Sequence, residues 1–298
     1  MSEFQTIGFI GVGVMGEPMC RHIATKYGAR VLATDPDAAP LERLRAHGVT
    51  PASVQEIVSQ SEVILMSLPS EKVVRAVVEG GGATDATSGL LNLCRSGQVV
   101  IDLSTSPLTL TKEIAAKFSE RGIEFVDAPV MRTRAAAEAG SLAVPVGASE
   151  ELFERIRPII ATFATDITLS GPVGAGQMVK ILNNMVLYET VLALAEARAI
   201  CVKAGYDPET LFHAMSTGSA DSFALRNHGM KAILPQDFPE RAFPVTYARK
   251  DVQFAVDMAE SLGIDASGAR NLVACFDKAI EKGHGEKYAP AISLVINA

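Results

Sequence analysis

The stretch Phe4–Gly16 reads FQTIGFIGVGVMG and carries the clearest indication of the fold of this chain. Its first half is apolar and β-prone, and a GxGxxG pattern follows with its glycines at Gly11, Gly13 and Gly16. Gly11 permits a tight turn, Gly13 lets the backbone approach a pyrophosphate, and Gly16 lets the next helix pack close to the strand. The order of strand, turn and helix therefore predicts dinucleotide binding, with the phosphates at the positive end of the helix.

A second predicted strand, at about residues 29–34, ends in Asp35. An acidic residue at this distance from the glycine turn meets the hydroxyls of the adenosine ribose. Asp35 would repel a 2′-phosphate, and Pro36 has no N–H to donate. The sequence therefore favours NAD over NADP. NADP stays as the alternative, since Asp35 could instead serve only to cap the next helix.

Further strands alternate with helices up to about residue 170. The strands are predicted near residues 63–66, 99–103, 123–126 and 142–146. This alternation predicts a parallel sheet that is covered by helices on both faces. Ligands gather at the carboxyl ends of such strands. Leu68, Ser104, Thr105 and the loop after Asp127 occupy those ends.

The second half of the chain loses the β pattern after Gly174. Helical patterns run at about residues 175–204, 208–217, 222–233, 249–263, 267–282 and 289–297. The predicted fold is thus an α/β chain: a Rossmann-type domain over residues 1–170, then an all-α domain over residues 171–298, joined by the long helix at about 175–204. Lys180, Asn183 and Asn184 share one face of this mostly apolar helix. A lysine is rarely buried without a partner or a task, so that face is the candidate reaction site.

Composition and charge exclude several classes of function. A net charge of −7 argues against a nucleic-acid partner, whose phosphates need a basic surface. The four cysteines are far apart without a CxxC pair, which predicts a reduced, cytoplasmic protein without a structural zinc. No His or Cys cluster in the sequence suggests a metal site. The long helix carries too many charged and amide side chains to be a good membrane span.

Four stretches in this order resemble the β-hydroxyacid dehydrogenase family, which includes 3-hydroxyisobutyrate dehydrogenases and tartronate semialdehyde reductases. They are residues 8–16, 127–130, 174–184 and 250–251. The resemblance implies that Lys180 is catalytic and that Asn184 holds the substrate. It also implies homodimers or homotetramers. The residues that it assigns to cofactor contact, beside the glycines, are Val14, Met15, Asp35, Leu68, Thr105 and Lys250.

One loop departs from the family pattern. After Asp127-Ala128-Pro129-Val130 most members continue with Ser-Gly-Gly, but here Met131-Arg132-Thr133-Arg134 follows. The loop looks more like the sulfolactaldehyde reductase branch, although Leu187 differs from that branch. A guanidinium and a hydroxyl can together bind several oxygens of one tetrahedral anion. We therefore hypothesise a sulfonate or phosphonate head bound by Arg132 and Thr133. In the alternative, Arg132 binds an ordinary carboxylate.

The predicted reaction is hydride transfer between a nicotinamide and a small anionic substrate, a short β-hydroxy or β-keto acid or semialdehyde. Lys180 would exchange the proton, and Asn184 would orient the substrate with help from Asn183 and Ser104. Asp127 and Asp251 are interpreted as structural hydrogen-bond acceptors.

Two alternatives stay open. One is a carboxylate substrate, as in 3-hydroxyisobutyrate, tartronate semialdehyde or 3-hydroxy amino acid dehydrogenases. The other is a non-catalytic dinucleotide-binding module, which the joint presence of Lys180, Asn184 and Lys250 disfavours.

Overall fold

The computed structural model describes residues 3–81, 89–240 and 242–296. The chain divides into two compact units, Met1–Lys180 and Ile181–Ala298. The division falls inside the long helix, and the predicted domain boundary at residue 170 stays a prediction. Gly174, just before that helix, and Gln177, in its first turn, donate their N–H groups to Asp127 of the first unit.

The first unit is an α/β domain. Its strands are β1 (Thr6–Ile10), β2 (Arg30–Thr34), β3 (Val49–Pro51), β4 (Val63–Met66), β5 (Val99–Asp102), β6 (Glu124–Asp127), β7 (Leu142–Gly147) and β8 (Ala164–Gly171). Its helices are α1 (Gly16–Lys26), α2 (Ala38–Arg45), α3 (Val54–Gln60), α4 (Glu71–Glu79), α5 (Leu90–Leu93), α6 (Leu108–Ser119), α7 (Arg134–Ala139) and α8 (Glu150–Ile160).

The eight strands of the described residues form one sheet in the order β3-β2-β1-β4-β5-β6-β7-β8. Neighbouring strands are parallel except β6 and β7, which pair in opposite directions through Asp127 and Gly147. The predicted Rossmann-type domain is confirmed, but its sheet is mostly rather than wholly parallel. The strand order reverses between β1 and β4, so the carboxyl ends of these strands border the site where such sheets bind ligands.

Alternate residues of the central strands supply two separate cores. Phe9, Leu65 and Ile101 are buried on one face of the sheet, and Ile10 and Ile64 are buried on the other. Successive side chains of a strand point to opposite faces, so both faces of these strands are apolar. This pattern is typical of a parallel sheet covered on both sides, and it holds the carboxyl ends of β1, β4 and β5 in fixed positions.

The second unit is helical, as predicted. The long helix α9 (Ala175–Lys203) leads into it, and α10 (Pro208–Thr217), a π-helix (Leu225–Ile233), α11 (Val245–Ser261), α12 (Ser267–Glu281) and a 3₁₀ helix (Ala289–Val295) follow. The α-helices predicted near residues 222–233 and 289–297 are thus corrected in type, since apolar spacing does not distinguish closely related helix windings. No helix among the described residues is long and apolar enough to span a membrane.

Candidate active site

The glycine turn after β1 is built as the motif predicts. Gly11 has a φ of +90°, and a Cβ there would lie 2.4 Å from the carbonyl oxygen of Ser67. A Cβ on Gly16 would lie 2.0 Å from the carbonyl oxygen of Gly11. These two glycines are therefore required by the packing of the protein itself. By contrast, apart from Gly13 and its two chain neighbours, no described residue has an atom within 4 Å of a Cβ built on Gly13. This open space fits a dinucleotide whose pyrophosphate approaches the backbone.

Asp35 follows the last residue of β2 and is bound to the same turn. One oxygen of its carboxylate, Oδ2, accepts the Val12 N–H at 2.8 Å, and Oδ1 accepts the Asp37 N–H at 2.8 Å. In the turn itself, Val14 is 52% exposed, whereas Met15 is half-buried against the core. The predicted cofactor contacts Val14, Met15 and Asp35 therefore occur together at the carboxyl ends of β1 and β2.

The loops after β4 and β5 are joined by a hydrogen bond. The Leu68 N–H donates to Ser104 Oγ at 2.9 Å, and the Ser104 N–H donates to Asp102 Oδ1 at 2.9 Å. Ser104 is 4% exposed, and Thr105 beside it is half-buried. The hydroxyl of Ser104 thus binds the two loops to each other, and its predicted contact with substrate stays a prediction.

The beginning of α9 is attached to β6 by Asp127. The Gly174 N–H donates to Asp127 Oδ1 at 2.6 Å, and the Gln177 N–H donates to Oδ2 at 2.7 Å. Burial raises the pKa of Asp127 to about 7, while these two hydrogen bonds act to lower it. The interpretation of Asp127 as a structural acceptor is confirmed. It satisfies N–H groups that a helix N-terminus otherwise leaves unpaired.

Gln177 lies beside the candidate site and is not among the residues that the sequence predicts for it. It is fully buried, its Oε1 accepts the Ser106 N–H at 3.1 Å, and its Nε2 donates to the Ser104 carbonyl at 2.8 Å. Lys180 follows three residues later on the same helix and is 8% exposed. The sequence does contain a signal for Gln177, because a residue three positions before Lys180 lies on the same face of the helix.

Asn184 lies one turn beyond Lys180 on α9 and is held within the second unit. Its Nδ2 donates to Asp251 Oδ2 at 2.7 Å, and its Oδ1 accepts from Asn183 Nδ2 at 3.2 Å. Asp251 is 1% exposed, and its Oδ1 lies 3.3 Å from the Nζ of Lys250. Asp251 is thus confirmed as a structural acceptor. It fixes the amide of Asn184 and contacts the predicted cofactor ligand Lys250.

The predicted substrate loop makes contacts within the protein itself. Arg132 has a φ of 82°, a conformation that favours glycine. Its Nη1 donates to the Ser141 carbonyl at 2.7 Å, and its Nη2 lies 2.8 Å from Asp166 Oδ2. Thr133 caps α7 through its hydroxyl, which accepts the Ala136 N–H. The substrate roles of Arg132 and Thr133 stay predictions, and the geometry gives both residues structural roles.

Comparisons with known proteins decide the family. Residues 6–171 match the model of the NAD binding domain of 6-phosphogluconate dehydrogenase. Residues 174–294 match the model of the NAD-binding part of NADP-dependent 3-hydroxyisobutyrate dehydrogenase. The chain is 36% identical over 258 residues to 2-(hydroxymethyl)glutarate dehydrogenase of Eubacterium barkeri, covering 86% of this chain and 83% of that one. The chain belongs to the β-hydroxyacid dehydrogenase family.

Two further matches agree with this family. The 2-hydroxy-3-oxopropionate reductase of Escherichia coli (strain K12) is 30% identical over 260 residues, which cover 87% of this chain and 86% of that one. The structure of 3-hydroxyisobutyrate dehydrogenase from Mycobacterium tuberculosis with L-serine superposes over 100% of both chains with a TM-score of 0.88 at 28% identity. This β-hydroxyacid dehydrogenase is accordingly an NAD(P)-dependent oxidoreductase that acts on CH–OH donors. Among the described residues, no group of three His, Cys, Asp or Glu side chains could hold a metal ion.

Proposed function

We propose that this dehydrogenase interconverts the alcohol and the aldehyde of a short β-hydroxy carboxylic acid, with Lys180 exchanging the proton. The observation that carries the proposal is the buried Lys180, one helical turn from the buried amide of Asn184. Asp251 already engages one N–H of that amide, which leaves a second N–H to bind a substrate oxygen. An ammonium and an amide one turn apart can bind the same small polar group.

When bound, the nicotinamide supplies the centre that accepts or gives the hydride. In the oxidation, the neutral amine of Lys180 takes the proton of the substrate hydroxyl. In the reduction, the ammonium stabilises the negative charge that develops on the carbonyl oxygen and then donates a proton to it. Asn184 orients that oxygen, and Asp251 keeps the amide in place.

A carboxylate head group is better supported than a sulfonate or phosphonate. The guanidinium of Arg132 is paired with Asp166 and hydrogen-bonded to Ser141, so a substrate anion there would compete with contacts inside the protein. The relative named for 2-(hydroxymethyl)glutarate acts on a carboxylic acid by its name. We therefore infer a carboxylate and retain the sulfolactaldehyde-type substrate as the competing outcome. Self-assembly into a homodimer or homotetramer stays a prediction of the family resemblance.

The substrate class is tested by following NADH absorbance with pairs of acids on one carbon skeleton. Each pair contains a β-hydroxy carboxylic acid, such as 3-hydroxyisobutyrate or 2-(hydroxymethyl)glutarate, and the sulfonate of the same skeleton. We expect the higher kcat/KM for the carboxylate. A higher kcat/KM for the sulfonate would restore the Arg132 hypothesis. Absence of turnover with every acid would favour a non-catalytic binding module.

We also infer a preference for NAD, which rests on Asp35. Asp35 follows β2 and is hydrogen-bonded to the glycine turn, so a 2′-phosphate there would meet its carboxylate, and Pro36 has no N–H to offer. Asp35→Ala should lower the ratio of kcat/KM for NADH over NADPH about tenfold, which corresponds to about 1.4 kcal/mol. The measurement compares initial rates with the two cofactors.

Glu62→Ala is the matched control for this substitution. The Glu62 carboxylate accepts the Gln5 and Thr6 N–H groups at the amino end of β1, whereas Asp35 follows the carboxyl end of β2. Glu62→Ala removes the same charge and the same kind of hydrogen bond as Asp35→Ala. It should leave the ratio of kcat/KM for NADH over NADPH unchanged. If both variants change the ratio alike, or if Asp35→Ala leaves it unchanged, the ribose role of Asp35 is wrong.

A further inference from the structure

Asp127 anchors the first turn of α9 from a distant part of the chain. It is the last residue of β6, and the two N–H groups that it accepts belong to residues 47 and 50 positions later. The carboxylate is also confined on two sides. A Cβ on Gly147 would lie 2.2 Å from Oδ1, and a Cβ on Gly176 would lie 2.9 Å from Oδ2. The helix end and the strand end are therefore packed directly against each other.

Gln177 provides a second anchor at the neighbouring strand. Its amide bridges the Ser104 carbonyl and the Ser106 N–H in the loop after β5. In these two hydrogen bonds the amide of Gln177 uses both its N–H donor and its carbonyl acceptor. Ser104 in turn accepts the Leu68 N–H from the loop after β4. The helix is thus tied to the loops that contain the predicted cofactor contacts Leu68 and Thr105.

The beginning of α9 is therefore hydrogen-bonded at two different strands. A single contact would leave the helix free to turn about it, whereas hydrogen bonds to β6 and to the loop after β5 fix both rotation and translation. Lys180 is three residues beyond Gln177 on the same rigid helix, so it moves with Gln177. Misplacing a catalytic group by about 1 Å can cost about 100-fold in rate.

We propose that Asp127 and Gln177 are positioning residues that hold Lys180 in its working place. This inference rests on the proposed function, in which Lys180 exchanges the proton. Neither side chain is assigned a contact with the substrate. Their contribution is to the rate of hydride transfer through Lys180, and it is separate from their contribution to the stability of the fold.

The test uses Gln177→Met, which keeps the length and approximate volume of the side chain and removes both hydrogen bonds. Gln98→Met is the matched control. Gln98 is 2% exposed and lies just before β5, at the amino end of that strand. Its Nε2 donates to the Val58 and Ser61 carbonyls, and its Oε1 accepts the Arg95 N–H. Both variants should unfold at lower temperature. Only Gln177→Met should slow single-turnover hydride transfer at saturating NADH, by about 10- to 100-fold.

Combining Gln177→Met with Lys180→Ala separates positioning from general damage. If Gln177 acts through Lys180, the double variant is no slower than Lys180→Ala alone. A further loss in the double variant, or a normal rate for Gln177→Met, would overturn the positioning role while leaving the proposed function intact. A near-normal rate for Lys180→Ala would instead overturn the proposed function. If Gln177→Met does not fold, Asp127→Asn, which keeps one acceptor oxygen, is measured in the same cycle.

Discussion

Lys180→Met should lower kcat about 10²- to 10⁴-fold, the range that a positioned acid–base group contributes. Methionine keeps the aliphatic part of the buried side chain and removes only the amine, so the packing of α9 is preserved. The substrate hydroxyl then has no base in the oxidation, and the developing alkoxide has no proton donor in the reduction. NADH affinity and the unfolding temperature should remain close to those of the unmodified protein.

Lys26→Met provides the control for this experiment. The Nζ of Lys26 donates to the Thr162 carbonyl at 2.8 Å in the same compact unit. That substitution removes an amine that also makes a defined hydrogen bond, and it should leave kcat unchanged. Initial rates in both directions, NADH titration and thermal unfolding are compared for the two variants. Near-normal turnover of Lys180→Met would remove Lys180 from the mechanism.

Gly13→Val should weaken cofactor binding strongly without unfolding the protein. No atom lies within 4 Å of a Cβ at this position, and the φ of Gly13 is not in the left-handed region, so the fold tolerates a side chain. The side chain would occupy the space that the pyrophosphate needs to approach the backbone, and we expect the dissociation constant of NADH to rise about 100-fold or more. Titration of NADH fluorescence measures this directly.

Gly16→Ala is the comparison that separates an effect on the stability of the fold from an effect on NADH binding. Its Cβ would lie 2.0 Å from the Gly11 carbonyl oxygen, so this substitution should reduce both the unfolding temperature and the affinity for NADH. Gly13→Val should reduce the affinity alone. Normal NADH binding by Gly13→Val would mean that the dinucleotide does not approach the turn at Gly13.

Most of the fold could be predicted because its strands and helices carry strong local patterns. The apolar strands β1, β4 and β5 and the helix α9 are examples, and the GxGxxG turn connects the first strand to α1. The strand β8 was missed because it is an edge strand with several exposed residues, so it lacks an apolar run. The π-helix at Leu225–Ile233 was missed because its winding leaves no distinct trace in the spacing of apolar residues.

The candidate site was predictable where one residue is informative on its own. Lys180 could be predicted because it interrupts an apolar helix. Asp35 could be predicted because of its distance from the glycine turn. Gln177 was missed because its partners, Ser104 and Ser106, are more than 70 positions away. The contacts of Arg132 could not be predicted for the same reason, since Thr165, which accepts a hydrogen bond from Arg132, is 33 positions away in sequence. Residue type and local spacing do not reveal partners that only the folded sheet brings together.

The most direct test of the central claim is to follow a deuterium label from substrate to cofactor. The dehydrogenase is incubated with NAD⁺ and the β-hydroxy carboxylic acid that turns over fastest, deuterated at its CH–OH carbon. We predict that the label appears at C4 of the reduced nicotinamide and that Lys180→Met forms this product far more slowly. Reduced cofactor without the label, or no reduced cofactor with any β-hydroxy carboxylic acid, would contradict the proposed reaction.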